Sequence, residues 1–176
     1  MSDEHGVCED DLELRVIPLE GRHLDACAAI VGRLELFVPY GFDAASALRL
    51  LSTALTDARA ELLVVEATTS GAGAPEPAVA GFAWLVTRGA FDRSGYLRLI
   101  AVDERFHGRG AGQLLMAELE RRHLAQGGIM LLAAAANTSA HRFYERLGYL
   151  HVGVLPDYVR PRLHERIYYK PPPREG

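Results

Sequence analysis

Residues 96–116, Tyr-Leu-Arg-Leu-Ile-Ala-Val-Asp-Glu-Arg-Phe-His-Gly-Arg-Gly-Ala-Gly-Gln-Leu-Leu-Met, constrain the fold more than any other stretch of the chain. Leu97, Leu99, Ile100, Ala101 and Val102 read as a buried strand that breaks at Asp103-Glu104. A loop carrying Gly108, Gly110 and Gly112 then opens an amphipathic helix. Ala111, Leu114, Leu115, Met116 and Leu119 form its apolar stripe, Gln113, Glu120 and Arg121 face away, and Gly127-Gly128 ends it. The first amides of a helix have no partner within it, and the peptide dipoles add positive potential there. Glycines let an anion approach such amides closely. Alternate glycines also suit a plain tight turn, so the loop alone does not decide between an anion site and a structural bend.

Two phosphate loops are excluded by residue type and spacing. The Walker loop needs Lys-Ser or Lys-Thr after its last glycine, where this chain has Gln113-Leu114. The dinucleotide fingerprint is G-x-G-x-x-G on a first strand, whereas the pattern here is G-x-G-x-G past the middle of the chain.

At 176 residues, 49% hydrophobic and 24% charged, the chain is expected to form one domain with a substantial core. Residues 11–170 are expected to be that domain, between a mobile acidic tail at 1–10 and a C-terminal tail at 171–176. A net charge of −4 argues against a general nucleic-acid binder. No apolar run reaches membrane length, and the acidic, polar residues 1–11 do not read as a signal peptide. Cys8 and Cys27 form no C-x-x-C pair, and the seven histidines show no metal-ligand spacing, so a cytoplasmic protein without a metal is expected.

Along the chain, Leu12, Leu14 and Val16 alternate with charged residues as a strand ending at Pro18. A helical pattern runs from Leu24 to about Leu36. Phe37 to Phe42 is then a turn punctuated by Pro39 and Gly41, aromatic enough either to line a pocket or to plug two helices together. Asp43 can cap a second helix to roughly Arg59, with Leu48, Leu51 and Leu55 inward. Strands are expected at Leu62–Val65 and Ala78–Val86, joined by a flexible tip over 68–77. Ile129 to Ala136 reads as a strand buried on both faces. Asn137 begins a short helix through about Arg146, closed by Gly148. Two last strands lie near Tyr149–Leu155 and Leu163–Tyr169.

Residues 137–149, Asn-Thr-Ser-Ala-His-Arg-Phe-Tyr-Glu-Arg-Leu-Gly-Tyr, form a second constellation. Read alone, they could be a capped helix with Phe143 and Leu147 inward and Tyr144 half exposed. Read together with His107-Gly108-Arg109-Gly110-Ala111-Gly112 one strand earlier, they resemble the GCN5-related N-acetyltransferase (GNAT) superfamily. That family has Arg or Gln, two variable residues, Gly, any residue, then Gly or Ala in the loop. Its second signature is Asn, Ala, then Phe-Tyr-Glu-Lys/Arg-Leu-Gly-Phe/Tyr, matched here by Asn137, Ala140 and Phe143 to Tyr149. The resemblance runs from about Ala78 to Lys170, and the loop departs from it at His107.

The resemblance implies an α/β (α+β) fold: a mixed, mostly antiparallel sheet, splayed between its central strands and flanked by about four helices. It implies acetyl-CoA as cosubstrate, with the backbone of Ile100, Ala101 and Val102 pairing to the pantetheine arm. Loop amides of His107, Gly108, Arg109, Gly110, Ala111 and Gly112 would hold the pyrophosphate. Asn137 would contact the pantetheine or the strand opening, and Arg142 could reach a phosphate or lie on a solvated surface. By the same resemblance Tyr144 protonates the departing thiolate and the Val102 N–H polarises the carbonyl. Acyl transfer to an amine needs those two functions and a neutral amine.

No family base is matched: some members carry a glutamate where this chain has Leu132, others on the central strand, where it has Tyr96 and Arg98. Glu35, Tyr40, Asp157, His164 and Glu165 could border an acceptor pocket and supply the base, or be surface or salt-bridging residues with a water relay to bulk solvent instead. Tyr158 with the aromatic turn suggests that the pocket is partly apolar. The expected partner is a primary amine, a small molecule, amino acid or peptide terminus, with a homodimer possible. The alternative function is a non-catalytic acyl-CoA-binding or regulatory domain on the same fold.

Overall fold

The structure, a computed structural model, describes residues 12–69 and 77–173. The tail at 1–10, most of the 68–77 tip and the end of the C-terminal tail lie outside the described residues.

Seven strands form one sheet in the order β1-β2-β3-β4-β5-β7-β6. They are β1 (Leu12–Pro18), β2 (Ala60–Thr69), β3 (Ala78–Ala90), β4 (Ser94–Val102), β5 (Ile129–Ala134), β6 (Leu150–Leu155) and β7 (Glu165–Lys170). Neighbours are antiparallel except β4 and β5, which run parallel. Four α-helices cover the sheet among the described residues: α1 (Leu24–Arg33), α2 (Ala44–Ala54), α3 (Ala111–His123) and α4 (Thr138–Arg146).

Side chains along β2 alternate between the two faces, as the pleat requires. Leu62 and Val64 join Phe82 and Trp84 of β3 in a core under α1 and α2, with Ile30, Val31 and Leu51. Leu63 and Val65 join Leu85 and Leu97 in a second core under α3 and α4, with Leu115, Met116 and Leu119. Both faces of the centre are thus covered, which explains the unbroken apolar run in β2.

The helix ends differ from the expected ones for local reasons. α1 stops at Arg33 because Leu34 takes extended backbone (φ −83°, ψ 110°). Glu35–Tyr40 then winds as a 3-10 helix rather than an open turn, ending at Gly41 in left-handed conformation (φ 62°). Asp43 caps α2 by accepting the Ser46 N–H at 2.8 Å, as its residue type suggests. α2 ends at Ala54, so Leu55 lies beyond the last turn and is exposed; Ala47, Leu51 and Ala54 are its buried stripe.

In α3, Gly110 (φ 90°) is the N-cap and Gly112 already lies in the first turn. Leu114, expected inward, is exposed, whereas Glu120, expected outward, is half-buried and bonded to Lys170 of β7 at 2.6 Å. β5 ends at Ala134 and alternates buried with half-buried residues instead of being buried throughout. Its half-buried face borders an opening in the sheet.

That opening is the feature that positions the site. β4 and β5 pair over only three rungs, Gly95–Leu97 with Ile129–Leu131. Beyond them the strands part. The β3–β4 register shifts at the same level, leaving Arg98 as the extra residue of a bulge, and bulges bend and twist the strand that carries them.

Candidate active site

The polar groups of β4 can be followed outward from its ladder with β3. The Asp103 N–H donates to Ala80 O on β3 at 2.9 Å. Backbone groups on a strand alternate in direction. Ala101 therefore turns its N–H and C=O to β3, and Ile100 and Val102 turn theirs toward the gap. The side chain of Ala101 is also buried, under α1 and α2. The N–H and C=O of Ile100 and the N–H of Val102 thus form the strand's free hydrogen-bonding edge.

Asp103 ends the strand with a carboxylate that is 3% exposed. It accepts from Arg105 Nε and Nη2, each at 2.9 Å, from the Arg105 N–H at 3.0 Å, and from Arg33 Nη2 of α1 at 2.6 Å. The Arg105 hydrogen bonds, with help from Arg33, hold this carboxyl well below the usual range, at about 2. One anion thereby fixes the strand end, the following turn and the end of α1.

The glycine loop is ordered from within. The His107 N–H donates to Glu104 O and the Arg109 N–H to Phe106 O, so these two amides are already engaged. The amides of Gly108, Gly110, Ala111 and Gly112 have no acceptor among the described residues. Gly108 and Gly110 take φ of 74° and 90°, and a Cβ at Gly108 would meet nothing within 4 Å. Four free donors beside open space at a helix N-terminus fit a diphosphate. The ring of His107 does different work from the Arg or Gln it replaces: Nε2 lies 3.0 Å from Val102 O. Against a carbonyl, Nε2 must carry the proton, so His107 secures the strand end.

On α4, Asn137 caps the helix, its Oδ1 accepting from Ala140 N–H at 3.1 Å and Ser139 Oγ–H at 2.9 Å. Tyr144 is 6% exposed, packed edge-on against Phe143 and Tyr149 and tilted against Tyr168. Burial pushes its phenol up, so the hydroxyl keeps its proton at neutral pH.

These groups line one cleft of about 1260 Å³, which also takes in the residues of the parted strands. A single small-molecule site is about 300–1,000 Å³, so there is room for two ligand parts. Ile100, Ala101, Val102, His107, Gly108, Gly110, Ala111, Gly112, Asn137 and Tyr144 all border it. Arg109 and Arg142 are exposed and lie off its wall.

The far end of the cleft is built from side chains. Phe37 and Tyr40 of the 3-10 segment and Phe42 just beyond it reach it, and Phe37 also packs edge-on against Phe42, so the aromatic turn both lines a pocket and plugs a core. Tyr40 donates its hydroxyl to Glu165 Oε1 at 2.5 Å. Burial, then that bond, raises the Tyr40 phenol. Of the five side chains considered for the acceptor pocket, only Tyr40 and Glu165 border the cleft. Glu35, Asp157 and His164 are exposed, and His164 Nδ1 accepts from the Asp157 N–H at 3.2 Å.

Sequence reasoning missed Trp84, the Arg33–Asp103–Arg105 cluster and the stacking of Arg98. Trp84 borders the cleft with its buried Nε1 unpartnered among the described residues, and the Arg98 guanidinium lies 4.9 Å from its ring centre. The available signal was Arg98 itself, a charge inside an apolar strand.

A sheet parted beyond a short parallel seam, with a helix opening beside the gap, is the acetyltransferase type of fold. The chain belongs to the acetyltransferase (GNAT) family, which matches its sequence over residues 34–149. The fold is similar to that of the ribosomal-protein-S18-alanine N-acetyltransferase from Escherichia coli (TM-score 0.69, 22% identity, covering 93% of this chain and 97% of that one). It is similar also to an N-acetyltransferase from Staphylococcus aureus (0.72, 16%, 90% and 98%). A spermidine/spermine N-acetyltransferase from Vibrio cholerae is a third such structure (0.64, 17%, 89% and 91%). No curated protein matches the sequence. Among the described residues, no helix is long and apolar enough to cross a membrane, and no three His, Cys, Asp or Glu side chains group as a metal site.

Proposed function

We propose that the protein is an acyl-CoA-dependent N-acetyltransferase that acetylates a primary amine by direct attack. The observation that carries this reading is the continuity of the cleft. It runs from four free amides at the start of α3, along the unpaired edge of β4, to a carboxylate at its far end. Acetyl-CoA, when bound, supplies an acetyl group activated as a thioester.

The chain's own residues divide the remaining work. The amides of Gly108, Gly110, Ala111 and Gly112 bind the diphosphate, and Ile100 with Val102 pairs the amide-bearing arm. The Val102 N–H, turned into the gap, stabilises the charge that develops on the carbonyl oxygen. The Tyr144 hydroxyl supplies the proton that the departing sulfur requires; its buried phenol holds that proton, and the attacking nitrogen sheds its own proton to water in the open cleft. Neither cysteine is needed as a nucleophile. Cys27 is buried, and burial raises its thiol to about 12, which leaves it inert at neutral pH.

Two measurements test the proposal together: calorimetric titration of coenzyme A, and release of free thiol from acetyl-CoA across a panel of primary amines. Binding with amine-dependent thiol release is expected. Tight binding with no release for any amine would favour the acyl-CoA-binding domain instead, and no binding would sink both.

A further inference from the structure

The cleft has more than thirty bordering residues in its wall, yet among the described ones Glu165 is the only carboxylate. Its side chain is 3% exposed, and among the described residues Tyr40, 125 positions earlier in the chain, is the one side chain that donates to it. An ionised carboxylate withdrawn from water needs a cation or several donors, and one phenol is a thin supply. Glu165 opens β7 and pairs across to Ala134 of β5, on the strand that parts from β4. Elsewhere the cleft wall is largely apolar or aromatic, with Phe37, Phe42, Trp84, Tyr96 and Tyr158 among its side chains. The cations that border the same cleft are Arg98, stacked on Trp84, and Arg146.

We propose that Glu165 receives the ammonium of the acceptor while Tyr40 holds the carboxylate in place. The acceptor class is then a primary amine with one positive charge on an apolar or aromatic body. A second ammonium on the same molecule would find no second carboxylate in the wall and would meet Arg98, which disfavours polyamines. The proposal rests on the amine-acetylation reading and specifies its acceptor.

Its main rival is a strut: Tyr40–Glu165 merely ties the 3-10 segment to β7. The two differ in which substitution matters. Glu165→Gln removes the charge but still offers Tyr40 a carbonyl oxygen. Tyr40→Phe removes the tie but keeps the charge. The experiment is calorimetric titration of phenethylammonium into protein saturated with coenzyme A. Glu165→Gln is expected to weaken binding at least tenfold, with coenzyme A affinity and the unfolding temperature unchanged; Tyr40→Phe should weaken it two- to threefold. Unchanged amine affinity in Glu165→Gln, with a lowered unfolding temperature in Tyr40→Phe, is the strut result and overturns the proposal.

Wild-type protein provides a control that needs no variant. 2-Phenylethanol, the neutral isostere, should bind at least tenfold more weakly than phenethylammonium, and spermidine should also bind more weakly. Equal or tighter binding of either, or no binding of phenethylammonium, overturns the proposal as well. Amine binding without thiol release from acetyl-CoA would instead sink the acetyl-transfer reading alone.

Discussion

Two short connections meet at the cleft and present it with different atoms. The connection over 103–112 offers peptide N–H groups, set by the left-handed glycines and steadied by Asp103. The connection over 35–42 offers the side chains of Phe37, Tyr40 and Phe42, set by a 3-10 turn with Gly41 at its end. Arg160 of the β6–β7 loop lies so close over Gly41 that a Cβ there would stand 2.5 Å from its guanidinium. The first connection works through local backbone geometry. The second works through a partner 125 residues away. Substitutions at the first should therefore change cofactor affinity, and those at the second should change the response to amines.

Four substitutions would break or sharpen that contrast. The largest effect is expected from Gly110→Trp, which places an indole over the free amides. Coenzyme A affinity should fall at least 100-fold in calorimetry, while circular dichroism still reports a folded chain; undiminished affinity would remove the diphosphate assignment. Tyr144→Phe comes next. Turnover should drop by about 100-fold, the lower end of what a positioned general acid contributes, with coenzyme A affinity within twofold. An unaltered rate would end its role as acid.

The third is Asp103→Asn. The folded carboxyl sits at about 2, below the about 3.9 of an unfolded aspartate. Its stabilisation is therefore fully present above about pH 4 and is lost as pH falls toward 2. Arg33 and Arg105 are each more than half exposed, so solvent screens the cluster; its worth is about 1–2 kcal/mol. Urea unfolding should show the variant less stable by that amount at pH 7, with the two proteins converging near pH 2. Parallel curves across that range would mean that the cluster adds nothing. The smallest effect is expected from Asn137→Ala, which should cost about 1 kcal/mol through the lost cap on α4, measured in the same way at pH 7. A loss of coenzyme A affinity larger than that would give Asn137 a direct contact with the ligand.

What could be read before the structure follows the same division. Gly108-Arg109-Gly110 forecast a tight loop opening a helix, because only backbone is involved, and Gly108 and Gly110 take positive φ there; Asn137 and Asp43 cap the helices their residue types suggest. The splay between the central strands came with the family resemblance. The burial of Tyr144 and Glu165 depends on what folds over them, which neighbouring residues do not reveal. Glu120, expected outward, is half-buried because Lys170 of β7 reaches it, while Leu114, expected inward, is exposed. The amides of His107 and Arg109, expected on the ligand, turned inward because a short turn satisfies its own donors first.

The narrow seam between β4 and β5 has a consequence for how the chain assembles. By Val102 the first four strands are each beside the next in sequence, β2–β3 and β3–β4 as hairpins and β1–β2 across α1 and α2. The β2–β3 and β3–β4 hairpins close quickly, whereas β1 must wait for α1 and α2, and β5 for α3 to cross over. A chain emerging from the ribosome can therefore pair its first four strands before the last three exist. The groove is the border along which two successive pieces meet, and it is in place before any ligand arrives.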